Sequence, residues 1–316
     1  MEPIALDIES VLRQIINHQK HFYPKWSNVY YWYPAEVLER LNKIWGFYHA
    51  LPQSPLKQIL LIPLLKVTRL FSYNDPQRQK LSKSPKSIKR VQVLLQGEWR
   101  SRLLEKIGEE IALTLQKLQE HHNLNPNHHN LQSVVRGGVD SLEEADKTTA
   151  TWDFLITSPP YLQAQEYLRF LKMDLFWCGF SESQIKGLQS REMPYRSVPA
   201  IPILSESFHQ IYSEIPETRM RKIYEQYFFG VLGVLTRLAS RINSRLFLFV
   251  GQATIRGQPI PIDRIFIEHF TALGWKHEIT LIDHVISRVM FQANTNPATG
   301  MKDKRIPSER LIILKQ

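Results

Sequence analysis

The sequence contains one cysteine, Cys178, in 316 residues. A single thiol builds neither an intrachain disulfide framework nor a cysteine zinc site, and the expected setting is reducing and cytoplasmic. Its context, Leu-Phe-Trp-Cys-Gly-Phe, is apolar, so Cys178 reads as core rather than as a nucleophile. Long hydrophobic runs are missing too. The longest spans residues 59–67, is too short to cross a bilayer and contains Pro63, so no membrane partner is expected. The opening Met-Glu-Pro-Ile-Ala-Leu-Asp-Ile-Glu-Ser has neither a basic nor an apolar signal-peptide region. Glycine is sparse, with 13 residues, and no two of them stand in a Gly-x-Gly. The usual glycine turn that lets a backbone approach a nucleotide is therefore excluded from this chain.

Acidic residues are outnumbered, 30 to 40 Lys and Arg, for a net charge of +10 and a pI near 9.6. That balance favours a polyanionic partner, nucleic acid first. Apolar residues make up 43% of the chain, enough for a substantial core.

Residues 1–125 read as a mainly helical region. Pro34 opens a stretch in which Val37, Leu41, Ile44, Trp45 and Tyr48 recur at helical spacing. Further helices are expected from Pro55 to Phe71, kinked at Pro63, and from about Glu98 to Glu120. Between them lies a basic stretch with Arg78, Lys80, Lys83, Lys86, Lys89 and Arg90. It reads as a loop, either simply solvated or contacting phosphates. Paired histidines at 121–122 and 128–129 lack a carboxylate or cysteine to complete a ligand set, so no metal site is expected. The aromatic-rich run from Phe22 to Pro34 reads as helix packing, with base stacking as the alternative.

Beyond residue 126 short β-like runs alternate with helices near 162–178, 217–243 and 261–273. The runs are Leu-Gln-Ser-Val-Val-Arg-Gly, Asp-Phe-Leu-Ile-Thr, Arg-Leu-Phe-Leu-Phe-Val-Gly, His-Glu-Ile-Thr-Leu-Ile-Asp-His-Val-Ile and Arg-Leu-Ile-Ile-Leu-Lys. The alternation predicts an α/β sheet, largely parallel, with a closing antiparallel hairpin at one edge.

The run Asp153–Thr157 ends in Ser158-Pro159-Pro160-Tyr161. Two prolines continue neither a strand ladder nor a helix interior. Ligands bind outside the carboxyl ends of strands in open α/β sheets. There Ser158 offers a hydroxyl acceptor and Pro159 a carbonyl acceptor, a pair that suits the two donors of an amino group. Tyr161 offers a flat face. Together they suit an exocyclic amine on a planar heterocycle. The rival reading is a plain strand-ending turn.

Thr157-Ser158-Pro159-Pro160-Tyr161 resembles motif IV of the amino-methylating DNA methyltransferases, in the form typical of N4-cytosine enzymes. The strand after the long helix and the closing hairpin are similar to that family as well. The resemblance implies a Rossmann-like fold and methylation by S-adenosyl-L-methionine of an amine in double-stranded DNA, cytosine N4 before adenine N6. It also implies a place in restriction–modification. Ser158 and Pro159 would hold the amine, Pro160 would shape the elbow and Tyr161 would stack on a flipped base. Asp140 and Thr157 fall where the family contacts its cofactor, although Asp140 also suits a helix cap. Lys80, Lys83, Arg169, Lys172 and Arg191 are the candidate DNA contacts. Arg196, Lys302, Lys304 and Arg305 lie in further polar loops.

The family's glycine-rich cofactor turn has no counterpart here. The nearest candidate, Phe249–Gly257, spaces its glycines six apart and fits a late strand. The resemblance then implies one half of a split enzyme, whose second chain carries that turn. A non-catalytic DNA-binding subunit, a degenerate paralogue and an RNA amino-methyltransferase remain the alternatives.

Overall fold

A computed structural model describes residues 6–78, 81–125, 134–135, 137, 140–162, 167–192, 196–255, 257–284 and 308–316. In chain order the elements are α1 (Ile8–Asn17), α2 (Val29–Trp32), α3 (Ala35–Ala50), α4 (Pro55–Leu70), α5 (Pro85–Leu94), α6 (Trp99–Leu124), α7 (Ser141–Lys147), β1 (Trp152–Thr157), α8 (Tyr167–Trp177), α9 (Glu182–Gln189), α10 (Glu206–Glu214), α11 (Thr218–Ala239), β2 (Ile242–Gly251), β3 (Ala253–Ile255), β4 (Gln258–Ile260), α12 (Ile262–Ala272), β5 (Lys276–His284) and β6 (Ser308–Lys315). They form two compact units, Met1–Val134 with Leu168–Leu188, and Val135–Tyr167 with Gln189–Gln316. No helix among the described residues is long and apolar enough to cross a membrane.

The first unit is helical. Its core holds Trp45, Trp177, Tyr33, Phe71 and Phe176, all fully buried. Burying each such ring contributes about 2–3 kcal/mol. Two of the buried indoles find partners: Trp45 Nε1 donates to Thr68 Oγ1 at 2.9 Å, and Trp177 Nε1 to the Tyr33 hydroxyl at 2.9 Å. The aromatic run after Phe22 divides. Trp26 stacks on Phe176 in the core, while Tyr30 and Tyr31 stay exposed. Helix α4 opens at Pro55 behind the Ser54 cap and runs through Pro63 as one helix.

Two features depart from the sequence expectations. The basic stretch turns helical at Pro85, because Ser84 and Ser87 form a reciprocal capping box and proline suits the first turn. Arg90 then donates to the Ser72 and Asn74 carbonyls at 2.7 and 3.0 Å, a structural role. Residues 168–188 return to this helical unit rather than continuing the one that holds β1. Met173, Phe176 and Trp177 enter the aromatic core, and Arg69 grips Asp174 with two hydrogen bonds of 2.6 Å. The half-buried Cys178 sits beside them. Burial, with Asp174 nearby, pushes its thiol up to about 11, out of the nucleophilic range.

The second unit is α/β. Its sheet has the order β1-β2-β6-β5. Strand β1 runs parallel to β2, while β6 is antiparallel to both β2 and β5. The sheet is therefore mixed rather than largely parallel. The closing strand β6 inserts between β2 and β5, so both of its neighbours run opposite to it. The expected hairpin is present, with β5 outermost. The β3–β4 hairpin was not anticipated. The run at residues 131–137 falls mostly outside the described residues. Helices α11 and α12 cover one face of the sheet. Tyr227, Phe228, Val231, Leu235, Phe266 and Phe270 close over Leu246, Leu248, Val250, Ile312 and Leu314.

One buried base on α12 makes this unit acid-sensitive. His269 Nδ1 accepts from the Leu204 N–H at 3.1 Å, so Nε2 keeps its proton and faces Thr236 Oγ1 at 2.9 Å. Burial lowers its pKa from 6.5 to about 4. The unfolded chain binds that proton at higher pH than the folded one, so stability falls as pH drops from 6.5 towards 4. Its neighbour Glu268 opposes burial with hydrogen bonds from Ser205, Ser207 and Arg264, which hold it near 2. Its contribution is complete above 4.5 and lost as pH falls from 4.5 towards 2. We predict a loss of about 3 kcal/mol from His269 between pH 7 and 4. Urea unfolding of wild type and His269→Gln at both pH values checks it. An unchanged pH dependence in the variant would refute the assignment.

Candidate functional site

Strand β1 delivers the Ser-Pro-Pro-Tyr segment to the carboxyl end of the sheet. In register, Thr157 stands opposite Leu248 of β2, three residues before Gly251 ends that strand. Pro159 is buried and Leu162 enters the core of the unit, so the elbow is pinned on both sides. Between these anchors Ser158 is exposed, and Pro160 and Tyr161 are half-buried.

Tyr161 folds back over the end of β2. A Cβ built on Gly251 would lie 2.6 Å from Tyr161 Cε2 and 2.9 Å from Cζ, so only glycine admits the ring here. The hydroxyl reaches β6 and donates to Glu309 Oε1 at 2.7 Å. Burial, then the Glu309 carboxylate, push the phenol up to about 12, and a hydrogen bond with Ser158 acts against them. At neutral pH Tyr161 is thus a protonated donor locked on a carboxylate. The ring is anchored because three strand ends converge on it.

Sequence reasoning missed Glu309, which lies 148 residues from its partner and has no local signal. Gly251 stood out only as a glycine in a late strand, and its packing role needs the fold.

Asp140 caps α7. Its Oδ1 accepts from the Leu142 N–H at 3.0 Å and the Glu143 N–H at 3.4 Å, and Oδ2 pairs with Arg196. Burial raises its pKa, but the two helix amides and the guanidinium outweigh this and hold it below the ordinary range. Arg196, placed by the sequence in a polar loop, is thus an ion-pair partner of Asp140. The carboxylate expected on the cofactor is committed to structure. No Gly-x-Gly occurs in the sequence to stand beside it. Thr157 is half-buried at the end of β1, beside the elbow.

The basic candidates are dispersed. Lys80 lies outside the described residues, as do Lys302, Lys304 and Arg305. Lys83, Arg169 and Lys172 belong to the helical unit, Arg191 to the unit that holds the elbow. The Lys83 ammonium sits over the Tyr31 and Tyr73 rings, 4.6 and 4.2 Å from their centroids, and donates to the Tyr31 carbonyl at 3.2 Å. Lys172 stands over the Phe176 ring at 5.7 Å. Arg169 and Arg191 are exposed. Among the described residues no group of three or more His, Cys, Asp and Glu is placed to hold a metal ion.

No protein-family model matches the sequence, and no curated protein or solved structure matches it.

The Tyr161–Gly251 contact is testable by a double-mutant cycle. Gly251→Ala is expected to cost about 1–3 kcal/mol by overpacking against the ring. Most of that cost should vanish in a Tyr161→Ala background. Additive costs in denaturant unfolding would show that the ring does not rest on Gly251.

Proposed function

We propose that this chain is the amine-binding half of an S-adenosyl-L-methionine-dependent DNA methyltransferase that acts on an exocyclic amine, cytosine N4 before adenine N6. The observation that carries the reading is the Ser-Pro-Pro-Tyr elbow at the carboxyl end of β1, with Tyr161 fixed by Gly251 and Glu309.

An amino group has two N–H donors. In this reading the Ser158 hydroxyl oxygen takes one and the Pro159 carbonyl the other, and the amine is turned so that its lone pair faces the methyl donor. The nitrogen gains positive charge as its bond to the methyl carbon would form and the carbon–sulfur bond of the sulfonium would break to a neutral thioether. One of the nitrogen's two N–H protons would then leave past its acceptor to solvent. Two acceptors fixed on a rigid elbow stabilise that charge without reorganising. Pro160 supports this by holding φ near −65° in the turn. Tyr161, polarised through its hydrogen bond to Glu309, presents an electron-rich ring to a base that becomes cationic. No protein nucleophile is needed, which agrees with the inert Cys178 thiol. S-adenosyl-L-methionine would supply the methyl group. Its cradle is assigned to a second chain, because Asp140 is committed to its cap and ion pair. The net charge of +10 supports a DNA substrate.

Two measurements test this reading. In source cells carrying Ser158→Ala, methylated amines in genomic DNA should fall by about 100-fold, the scale of losing one charge-stabilising contact. Unchanged methylation in that strain would sink the proposal. For DNA affinity, Lys83→Ala should weaken binding to any duplex several-fold and reduce the salt slope by about one unit. An unaltered slope would remove Lys83 from the interface.

A further inference from the structure

Among the described residues, the second unit covers its sheet on one side only. By register, Ile156, Phe247, Ile313 and Ile279 form one row across the opposite face, and Phe249, Leu311 and Leu281 form the next. Phe154 flanks them, its ring 6.0 Å from that of Phe247. Ile156 is 67% exposed, Phe154 53%, Leu281 48% and Ile279 45%. A sheet face that meets water normally alternates to polar residues, and this one does not. With about 200 Å² for a large side chain, the open apolar surface is on the order of 600 Å². That approaches the roughly 800 Å² per partner of a stable interface.

The two sheet edges also differ. Strand β5 carries Lys276, His277, Glu278, Asp283 and His284, the charged residues that protect a natural edge. Strand β1, Trp-Asp-Phe-Leu-Ile-Thr, carries Asp153 as its one charged residue and reads as an interior parallel strand, yet among the described residues it ends the sheet.

A second copy of this chain cannot satisfy both features. Two-fold pairing of β1 with β1 gives an antiparallel join that leaves both open faces uncovered on the same side. Stacking the two faces together leaves both β1 edges unpaired. A strand that adds parallel to β1 and continues outward through a right-handed crossover satisfies both. The step from β1 to β2 places α11 on the covered face, so a right-handed step in the opposite direction places its helix on the open face. The order of winding then reverses beside β1, and ligands bind at the carboxyl ends of strands at such a switch point. The Ser158–Tyr161 elbow stands at that end.

We propose that β1 and the open face dock a separate chain. Its first strand extends the sheet in parallel, its following helix opens the missing layer over that strand and the β1 residues Phe154 and Ile156, and the rest of that layer covers Phe247, Ile313 and Ile279. Assigning this chain the methyl-donor turn rests on the functional reading above; the docking itself does not.

The test places a photo-crosslinking amino acid at Ile156, at Ile279 and, as a control, at exposed Leu113 of α6 in the full chain, expressed in its source cells. The expected result is one adduct shared by positions 156 and 279 and absent at 113. The adducted chain should carry a strand, a glycine-rich turn and a helix. When the two chains are purified and mixed, the β1 amides should gain exchange protection. Phe154→Lys/Ile156→Lys should weaken the complex at least 100-fold while the melting curve stays unchanged. An adduct with this chain itself, adducts only at 113, no adduct, or a complex untouched by the double variant overturns the docking proposal. The functional reading fails separately. A complex that docks as described but neither binds S-adenosyl-L-methionine nor methylates DNA refutes the function and keeps the docking. Methylation with a partner that crosslinks elsewhere does the reverse.

Discussion

Parallel pairing of β1 with β2 obliges the chain to leave the carboxyl end of one strand and return to the amino end of the other. No tight turn can do this. The chain spends residues 158–241 on the return, and the principal features of the second unit follow from that path. Leaving β1 takes a rigid elbow, which the two prolines provide. Returning takes a long helix, α11, whose aromatic face then fills one side of the sheet. Midway, residues 168–188 are taken up by a different core.

That path also explains why a site gathers where it does. Tyr161 has just left β1, Gly251 closes β2 and Glu309 opens the antiparallel β6, so three strand ends meet on one phenol. An acceptor pair built on prolines adds rigidity that a flexible loop would lack. The site is preorganised by backbone rather than by long side chains, which suits stabilising a charge that exists only briefly.

The open face and the bare edge of β1 extend the same logic outward. Helices cover the sheet wherever this chain supplies a crossover. Nothing described in it winds away from β1, so the apolar side chains meant for that layer stay exposed. The committed Asp140 carboxylate and the missing glycine turn point in the same direction. On the proposed reading, the elbow that would hold the amine lies within this chain and the cradle for the methyl donor would come from another.

Much of this was readable from residues alone. Helical spacing marked α3, α11 and α12 because amphipathic periodicity is local. The Ser-Pro-Pro-Tyr elbow was legible because proline's constraint on φ needs no context. Capping residues were less so. Ser84 and Ser87 sit in a lysine-rich stretch whose charge masks the start of a helix, and Asp140 suited a cap and a cofactor contact equally well until the fold set its carboxylate on the α7 amides and Arg196. The order β1-β2-β6-β5, the glutamate that anchors Tyr161 and the capture of Phe176 and Trp177 by the helical core were not legible. Each depends on contacts between residues far apart in the chain, where sequence carries periodicity but no partner. Sequence by itself determined the long amphipathic helices, the strands of the main sheet and the acceptor groups that the elbow carries. Only the tertiary structure decided strand order, which face stays bare and what holds Tyr161, because those are choices among long-range pairings that local propensity does not distinguish.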